Sequence, residues 1–379
     1  MMQQSSGSKK LVYVLNYVSG EDSQHFVHVF NLLSALQARG WSIAVLSEKG
    51  GVGVKTVLGH EVRYLSLSGG PIRILRLLRE LTLLRRNGYG LVFVRISKPA
   101  ALTAALARSY TKQKILYWLS GANYDFDQQQ NLTRRSWTNF LMNKVVGSTD
   151  YFVTGPETMV CYSIEHFEVP KKKTMLLYND IDLTRFSSSR RVIQPDKPLQ
   201  ILFVHSFSPI REATRYFPAL MKMLSAVNKT KTTAFLRVIG KGPERTLLQT
   251  TVAEWGMTAF VEFVGAVANV EIQKHYAQSD IFIMPSYREG MPRVILEAMA
   301  SGLPIVSTDA GGTKDLLGPQ QLEYVVSRDE PDVFANKLQA LIEDATIRAA
   351  LSRENLLFVR KFSTETVADM YDEKLCQLL

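Results

Sequence analysis

Two carboxylates stand out by their surroundings: Glu289 and Glu297, with seven residues between them, inside the stretch 286–312, SYREGMPRVILEAMASGLPIVSTDAGG. A short apolar run, Ile281–Met284, precedes it. The whole reads as strand, loop, a helix opening at Pro292 and a second strand at Pro304. Glu289 then lies on the loop and Glu297 on the helix. Eight residues of helix advance about 12 Å, so the two groups cannot act on one atom as a catalytic pair. They can grip two separated parts of one long ligand. Ionised carboxylates accept strong, charge-assisted hydrogen bonds and so suit sugar hydroxyls. The start of the helix adds free N–H groups and a partial positive charge, which suit a diphosphate. Such a loop, at the carboxyl end of a parallel strand, is where α/β sheets bind ligands.

The elements that must position these groups are legible along the chain. Short apolar runs alternate with helix-period segments from end to end, the pattern of parallel α/β domains. Candidate strands in the first half are Leu11–Leu15, Ser42–Leu46, Leu91–Val94, Ile115–Leu119 and Tyr151–Val153. Those in the second half are Gln200–Val204, Ala234–Val238, Val261–Val264, Ile281–Met284 and Pro304–Ser307. Helices are expected over His25–Gln37, stopping at Gly40, and over Pro71–Arg86, stopping at Asn87-Gly88. Residues 187–198, SSSRRVIQPDKP, lose all periodicity and hold two prolines, which places a domain boundary there. With 379 residues, two cores are expected rather than one.

Composition narrows the function classes. Hydrophobic residues at 46% and charged residues at 21% make an ordinary globular balance, which excludes a disordered chain. Cys161 and Cys376 form no disulfide framework or zinc pattern and fit a reducing cytosol. The opening MMQQSSGSKK has no apolar core, so a secretory leader is not expected. The sequon at Asn131-Leu132-Thr133 is read as chance. No run approaches the roughly 20 apolar residues of a membrane span. Residues 1–180 carry 22 Lys and Arg against 12 Asp and Glu, so they hold the entire net charge of +10. A basic half can face nucleic acid, an anionic membrane or an anionic substrate. No aromatic-and-basic recognition motif supports nucleic acid. Helix Pro71–Arg86 is amphipathic, with Arg73, Arg76 and Arg79 opposite a leucine stripe, and could lie on an anionic bilayer. The plainer reading is a surface helix packed on its own sheet.

The segment 286–312 resembles the Glu-x7-Glu signature of retaining glycosyltransferases of the GT-B fold, family 4. Pro285-Ser286, Glu289-Gly290, Pro292, Leu296 to Ala300, Gly302-Leu303-Pro304 and Gly311-Gly312 all fit it. Further landmarks are LLYNDIDLTRF (176–186), with Asp180 in place of the usual glycine, Val238 to Glu244, Val264 to Val267, and FSTETVADMY (362–371). The resemblance implies two Rossmann-like domains facing a central cleft. These would be an acceptor domain of residues 1–190, a nucleotide-sugar domain of 191–360, and a C-terminal helix, 361–379, returning to the first. It implies that Glu289 holds hydroxyls of the transferred sugar and Glu297 the ribose diol. Gly290, Met291, Pro292, Arg293 and Val294 would cradle phosphate, and Gly265 and Val267 would meet the nucleobase.

The first domain departs from the family pattern. Ser23-Gln24 stand where relatives carry Gly-Gly, and Ser120 stands where a histidine would approach the reacting sugar. After the first strand of the second domain, Ser206 replaces an arginine, while Arg211 keeps the lysine's charge. The second phosphate charge would come from Arg288, Arg293 or His205, or be missing. The other histidines, His25, His28, His60, His166 and His275, read as structural. Asp125-Phe126-Asp127 has the letters of a metal motif in an acceptor-side loop, so no metal or other cofactor is expected.

The expected activity is therefore transfer of a hexose, with retention, from a nucleoside-diphosphate sugar (UDP before GDP) to a glycan or lipid-linked acceptor. The setting would be envelope or exported polysaccharide synthesis, at the cytoplasmic face of a membrane or in the cytoplasm. Two rivals remain: a sugar-nucleotide epimerase of similar architecture, and a catalytically weak partner subunit that binds nucleotide-sugar.

Overall fold

The structure is a computed structural model that describes residues 8–18, 27–67, 70–119, 132–186, 197–209, 212–231 and 233–379, without the side chains of 27 and 132–138. Its residues fall into two compact units, Met1–Asp180 with Thr364–Leu379, and Ile181–Ser363.

The first unit is an eight-stranded sheet of β1 (Lys10–Leu15), β2 (Ser42–Ser47), β3 (Gly53–Val57), β4 (His60–Tyr64), β5 (Leu91–Arg95), β6 (Lys114–Trp118), β7 (Tyr151–Thr154) and β8 (Thr174–Leu176). The spatial order is β3-β4-β2-β1-β5-β6-β7-β8. Every pair is parallel except β3 with β4. The central strands β1 and β5 are almost wholly buried because helices cover both faces, which their unbroken Leu/Val/Tyr/Phe runs require. One face packs helix Val27–Ala38 together with Val367, Ala368, Tyr371 and Leu375 of the C-terminal helix, Thr364–Cys376. The other packs Leu77, Leu81 and Leu84 of helix Pro71–Arg86 and the alanine face of helix Lys98–Thr111.

The C-terminal helix is joined to this unit by polar contacts as well. Arg39 pairs with Asp369 at 2.8 Å and Glu365 at 3.0 Å. Asp372 Oδ1 accepts from Lys9 Nζ at 2.8 Å and Trp41 Nε1 at 2.7 Å.

The second unit is an all-parallel six-stranded sheet: β9 (Leu199–Val204), β10 (Ala234–Ile239), β11 (Val261–Gly265), β12 (Ile281–Met284), β13 (Ile305–Thr308) and β14 (Val325–Val326). Its order is β11-β10-β9-β12-β13-β14. The chain runs outward from β9 in one direction, then returns to its other side with β12. That reversal opens a crevice at the carboxyl ends of β9 and β12, the usual ligand position of a doubly wound sheet.

The structure departs from the sequence reading at the margins. The hairpin β3–β4 escapes it because β3 is largely exposed and shows no alternation of polarity. Its turn, Leu58-Gly59, has φ of 48° and 79°, with leucine where a two-residue hairpin turn favours asparagine or glycine. The strands β8 and β14, of three and two residues, are too short to carry a period. The units part at Asp180/Ile181, ten residues before the expected 190/191, and again at 363/364. Residues 181–186 belong to the second unit because Ile181 N–H bonds to Phe362 O at 2.9 Å and Phe186 packs edge-on against Tyr276.

Candidate functional site

The loop after β12 is built from short-range constraints. Ser286 is fully buried and its carbonyl accepts from Thr308 Oγ1 at the end of β13. Its own Oγ donates to Glu289 Oε1 at 3.0 Å and lies 3.2 Å from Arg288 O. Glu289 is thereby held at 6% exposure. Gly312 N–H bonds to Gly290 O at 2.9 Å. At Gly311, with φ of 55°, an added Cβ would come within 2.1 Å of Glu289 O. Gly311 is thus required by the close approach of the loop that carries Glu289.

Helix Arg293–Ala300 starts at Pro292, which occupies the N-cap position, and it is buried along Ile295 to Ala300. Glu297 on this helix is 7% exposed. Arg293 Nη2 stands 3.9 Å from its Oε1, and Tyr276 bears on it from a neighbouring helix. Burial raises the Glu297 carboxyl above its ordinary pKa, against the opposing pull of Arg293, the Tyr276 hydrogen bond and Arg185. A buried acid whose remaining acceptor capacity faces a ligand crevice is suited to a pair of hydroxyls. Met291 and Val294 are half-buried at the helix start, and Val294 O lies 3.5 Å from the Tyr276 hydroxyl.

The loops after β9, β10 and β11 form the other side of the crevice. Gly240 N–H bonds to Gly265 O at 2.7 Å, joining the ends of β10 and β11. At Gly240, φ is 136° and a Cβ would fall 1.7 Å from His205 O, so only glycine fits. Val267 is half-buried just beyond Gly265, and Ser206 is exposed. His205 is 5% exposed, stacked on Phe203, and its Nδ1 accepts from Phe207 N–H at 3.0 Å. That bond selects the neutral Nε2–H tautomer, which corrects His205 as a source of phosphate charge. Arg288 lies buried with its guanidinium over Tyr287.

Arg211, Ser120, Ser23 and Gln24 lie outside the described residues, as do His25, Asp125, Asp127 and Asn131. Among the described histidines, His60 meets Ser34 Oγ at 2.8 Å, His28 meets Arg95, and His166 stacks on Tyr162. Each has a packing role. No group of three or more His, Cys, Asp or Glu that could hold a metal occurs among the described residues. No helix among them is long and apolar enough to cross a membrane.

Three contributors escaped the sequence reading. Tyr276 meets Glu297 from a different helix, Asn269–Ala277, and only its place on that helix's inner face could have flagged it. Arg185 of the segment LLYNDIDLTRF reaches Asn269 Oδ1 at 2.7 Å and bears on Glu297. Thr308 orders the loop from β13. Arg73 needs a correction too. Its side chain is 17% exposed and faces the buried Glu48 at 3.7 Å, so it is no free surface charge.

Comparison with known proteins follows the same division. A family model described as glycosyl transferases group 1 matches residues 198–344, and one described as glycosyltransferase family 4 matches residues 26–185. The D-inositol 3-phosphate glycosyltransferase of Streptomyces avermitilis is 21% identical over 238 residues, 59% of this chain and 51% of the relative. The lipopolysaccharide core biosynthesis glycosyltransferase LpsE of Rhizobium meliloti is 29% identical over 138 residues, 36% of this chain and 40% of the relative. The chain spans about half the length of the curated relatives it matches. Sucrose-phosphate synthase from Thermosynechococcus elongatus shares the fold with a TM-score of 0.79 at 18% identity, over 98% of this chain and 99% of that one. HepE from Anabaena, solved with UDP and glucose, gives 0.76 at 17% identity, over 97% of this chain and 100% of that one. With each half matched by a model of the group and the fold shared along nearly the whole length, the chain belongs to the group 1 and family 4 glycosyltransferases of the GT-B fold.

Proposed function

We propose that the protein transfers a hexose, with retention of configuration, from a nucleoside-diphosphate sugar to a glycan or lipid-linked acceptor, UDP being the first candidate nucleotide. The observation that carries this reading is the pair of buried carboxylates, Glu289 and Glu297, at the switch point of the second sheet. They flank a helix start suited to phosphate. In this reading Glu289 holds hydroxyls of the sugar and Glu297 the ribose diol. The backbone of Gly290 to Val294 receives the diphosphate, and Gly265 and Val267 meet the base. Arg211 is the principal phosphate cation, Ser206 and His205 are neutral donor contacts, and Ser23, Gln24 and Ser120 are further candidate contacts. UDP is favoured because HepE, which shares the fold, is solved with it.

The chemistry follows from charge. An acceptor hydroxyl oxygen attacks the anomeric carbon while the bond from that carbon to the diphosphate oxygen breaks. The acceptor's proton passes to the leaving diphosphate on the same face, which keeps the configuration. Negative charge growing on the diphosphate needs fixed dipoles and cations, and the helix start and Arg211 supply them without a metal. Turnover should therefore persist in EDTA, with no gain from added magnesium or manganese. An acceptor carried at a membrane surface would suit the basic first unit.

The deciding experiment is incubation of the protein with a panel of nucleotide-sugars and detection of free nucleoside diphosphate. Slow hydrolysis of one donor, accelerated by acceptor, is expected. An isomerised sugar without released nucleotide would replace the reading with an epimerase, and binding without any turnover with a regulatory subunit.

A further inference from the structure

The loop after β12 that carries Glu289 has a further point of attachment, at Tyr287. Ser286, Arg288 and Glu289 are buried, whereas Tyr287 between them is half-buried. Three guanidiniums lie against its ring: Arg215 at 4.7 Å from the centroid, Arg328 at 5.3 Å and the adjacent Arg288 at 5.7 Å. Arg215 belongs to the short helical turn Ala213–Tyr216 after β9, and Arg328 to the segment after β14. Arg328 Nη1 also donates to Tyr287 O at 3.4 Å. Both of these arginines are themselves fixed. Arg215 pairs with Glu212 at 3.2 Å and Asp329 at 3.3 Å. Arg328 N–H donates to Asp309 Oδ1, just past β13, at 3.0 Å, and its Nε stands 3.9 Å from the same oxygen. The Tyr216 hydroxyl closes the set by donating to Arg328 O.

Those carboxylates neutralise Arg215 and Arg328, so the cluster is no anion site. What the cations share is one aromatic ring. A guanidinium stacked on a tyrosine is attracted by the ring's quadrupole and has a planar shape that suits it. Thr308 and Gly312 tie the Glu289 loop to the segment around β13. The Tyr287 ring is its tie to the segments after β9 and β14, two residues before Glu289. We propose that Tyr287 is a positioning residue for the transfer reaction, clamped by Arg215 and Arg328 so that Glu289 meets the transferred sugar correctly, an inference that rests on the role proposed for Glu289. Misplacement of a reacting group by 1 Å can cost about 10²-fold in rate, so slack in this loop should be visible in turnover.

Steady-state kinetics, calorimetry with free UDP and hydrogen exchange on the full chain test this. Tyr287→Leu should lower kcat by about tenfold or more and leave UDP affinity unchanged, because Glu297 and the start of its helix are untouched. Tyr287→Phe keeps the ring and should retain most of the rate. Arg215→Gln and Arg328→Gln, at partly exposed side chains, should each lower kcat less than Tyr287→Leu, and they carry the test if that variant folds poorly. In a Glu289→Ala chain, Tyr287→Leu should cost no further turnover, because residues that act through one another are not additive. Amide exchange across residues 286–291 should rise in Tyr287→Leu and not in Tyr287→Phe. A normal kcat in Tyr287→Leu, a matching loss of UDP affinity, a full second loss in the Glu289→Ala chain, or unchanged exchange would each overturn the proposal. A failure of the underlying reading would look different: no donor releases nucleotide, or Glu289→Ala turns over normally, while the exchange difference stands.

Discussion

Both units bury charged side chains near the carboxyl ends of their strands, yet the two sets stand at different places in their sheets. In the second unit, Glu289 is held by Ser286, three residues away, and Glu297 faces Arg293, four residues away. In the first, Arg95 at the end of β5 is 6% exposed and reaches Tyr13 Oη at 3.2 Å and Asn179 Oδ1 at 2.8 Å, with its guanidinium over Trp118. Asp180, 1% exposed, accepts from Thr364 Oγ1 at 2.7 Å, across 184 residues of sequence. Arg95 and Asp180 pull in opposite directions on Tyr13 and Tyr371, whose phenols are raised first of all by burial. Tyr276 and Arg185, from distant segments, bear on Glu297 as well, so sequence distance does not divide the two sets. The first network fastens the C-terminal helix to the first sheet, whereas the second lies at the switch point of its sheet. Burial of charge alone therefore does not mark a site; its place in the sheet separates the two cases.

The largest effect should come from breaking the long-range network. Arg95→Met leaves Tyr13 Oη and Asn179 Oδ1 without their buried donor, which should cost about 1–3 kcal/mol of stability for each group left unmet. Thermal unfolding would show a large fall in Tm, and Arg95→Lys, which keeps a charged donor, should lose less. A Tm near that of the unmutated protein would mean that Arg95 is dispensable to the fold and the contrast is false.

Arg211→Ala should reduce turnover by roughly 10²-fold or more, as expected for one electrostatic stabiliser of the leaving group. Arg211→Lys should recover part of it. A near-normal rate for the alanine variant would remove Arg211 from the site.

The carboxylates sharpen the comparison next. Each lost charged hydrogen bond should cost about 1.5–3 kcal/mol. Glu297→Ala should spend this on affinity for free nucleoside diphosphate, and Glu289→Ala mostly on turnover; equal losses of affinity in calorimetry would contradict the assigned roles. Glu297 also sets a pH dependence. Because burial raises its pKa, the folded chain holds that proton more tightly than the unfolded one. Its contribution favours the folded state at low pH and is lost as pH rises through the raised value. In the proposed role, ribose binding needs the ionised form and runs the other way. Affinity should thus begin to fall, as pH is lowered, above the ordinary glutamate value of about 4.3, and Glu297→Gln should be weak at every pH.

The smallest effect concerns the surface of helix Pro71–Arg86. Arg76 and Arg79 are exposed beside Ile72 and Leu75, whereas Arg73 serves Glu48. If this face meets an anionic bilayer, each of these two exposed arginines should contribute about 1 kcal/mol, Arg76 while also donating to Leu65 O at 2.7 Å. Arg76→Gln with Arg79→Gln would then reduce sedimentation with anionic vesicles, while Arg73→Gln would chiefly lower stability. Equal, negligible sedimentation with anionic and neutral vesicles would exclude the bilayer.

The sequence by itself determined the parallel α/β class, ten strands within a residue or so of their observed ends, helix Pro71–Arg86 and the loop-to-helix stretch carrying Glu289 and Glu297. Those features rest on short-range physics: buried strands must be continuously apolar, helices need their stops, and the motif's own neighbours hold it. Tertiary structure alone decided what crosses long stretches of chain. It brought Tyr276 to Glu297 and Thr308 to Ser286, drew Arg73 in to Glu48, and made the hairpin at Leu58-Gly59. It also placed Asp180, an apparent break in the family pattern, as the buried acceptor for Thr364. A hydrogen bond across 184 residues leaves no period or spacing in the sequence. Only the folded sheet brings its two ends together.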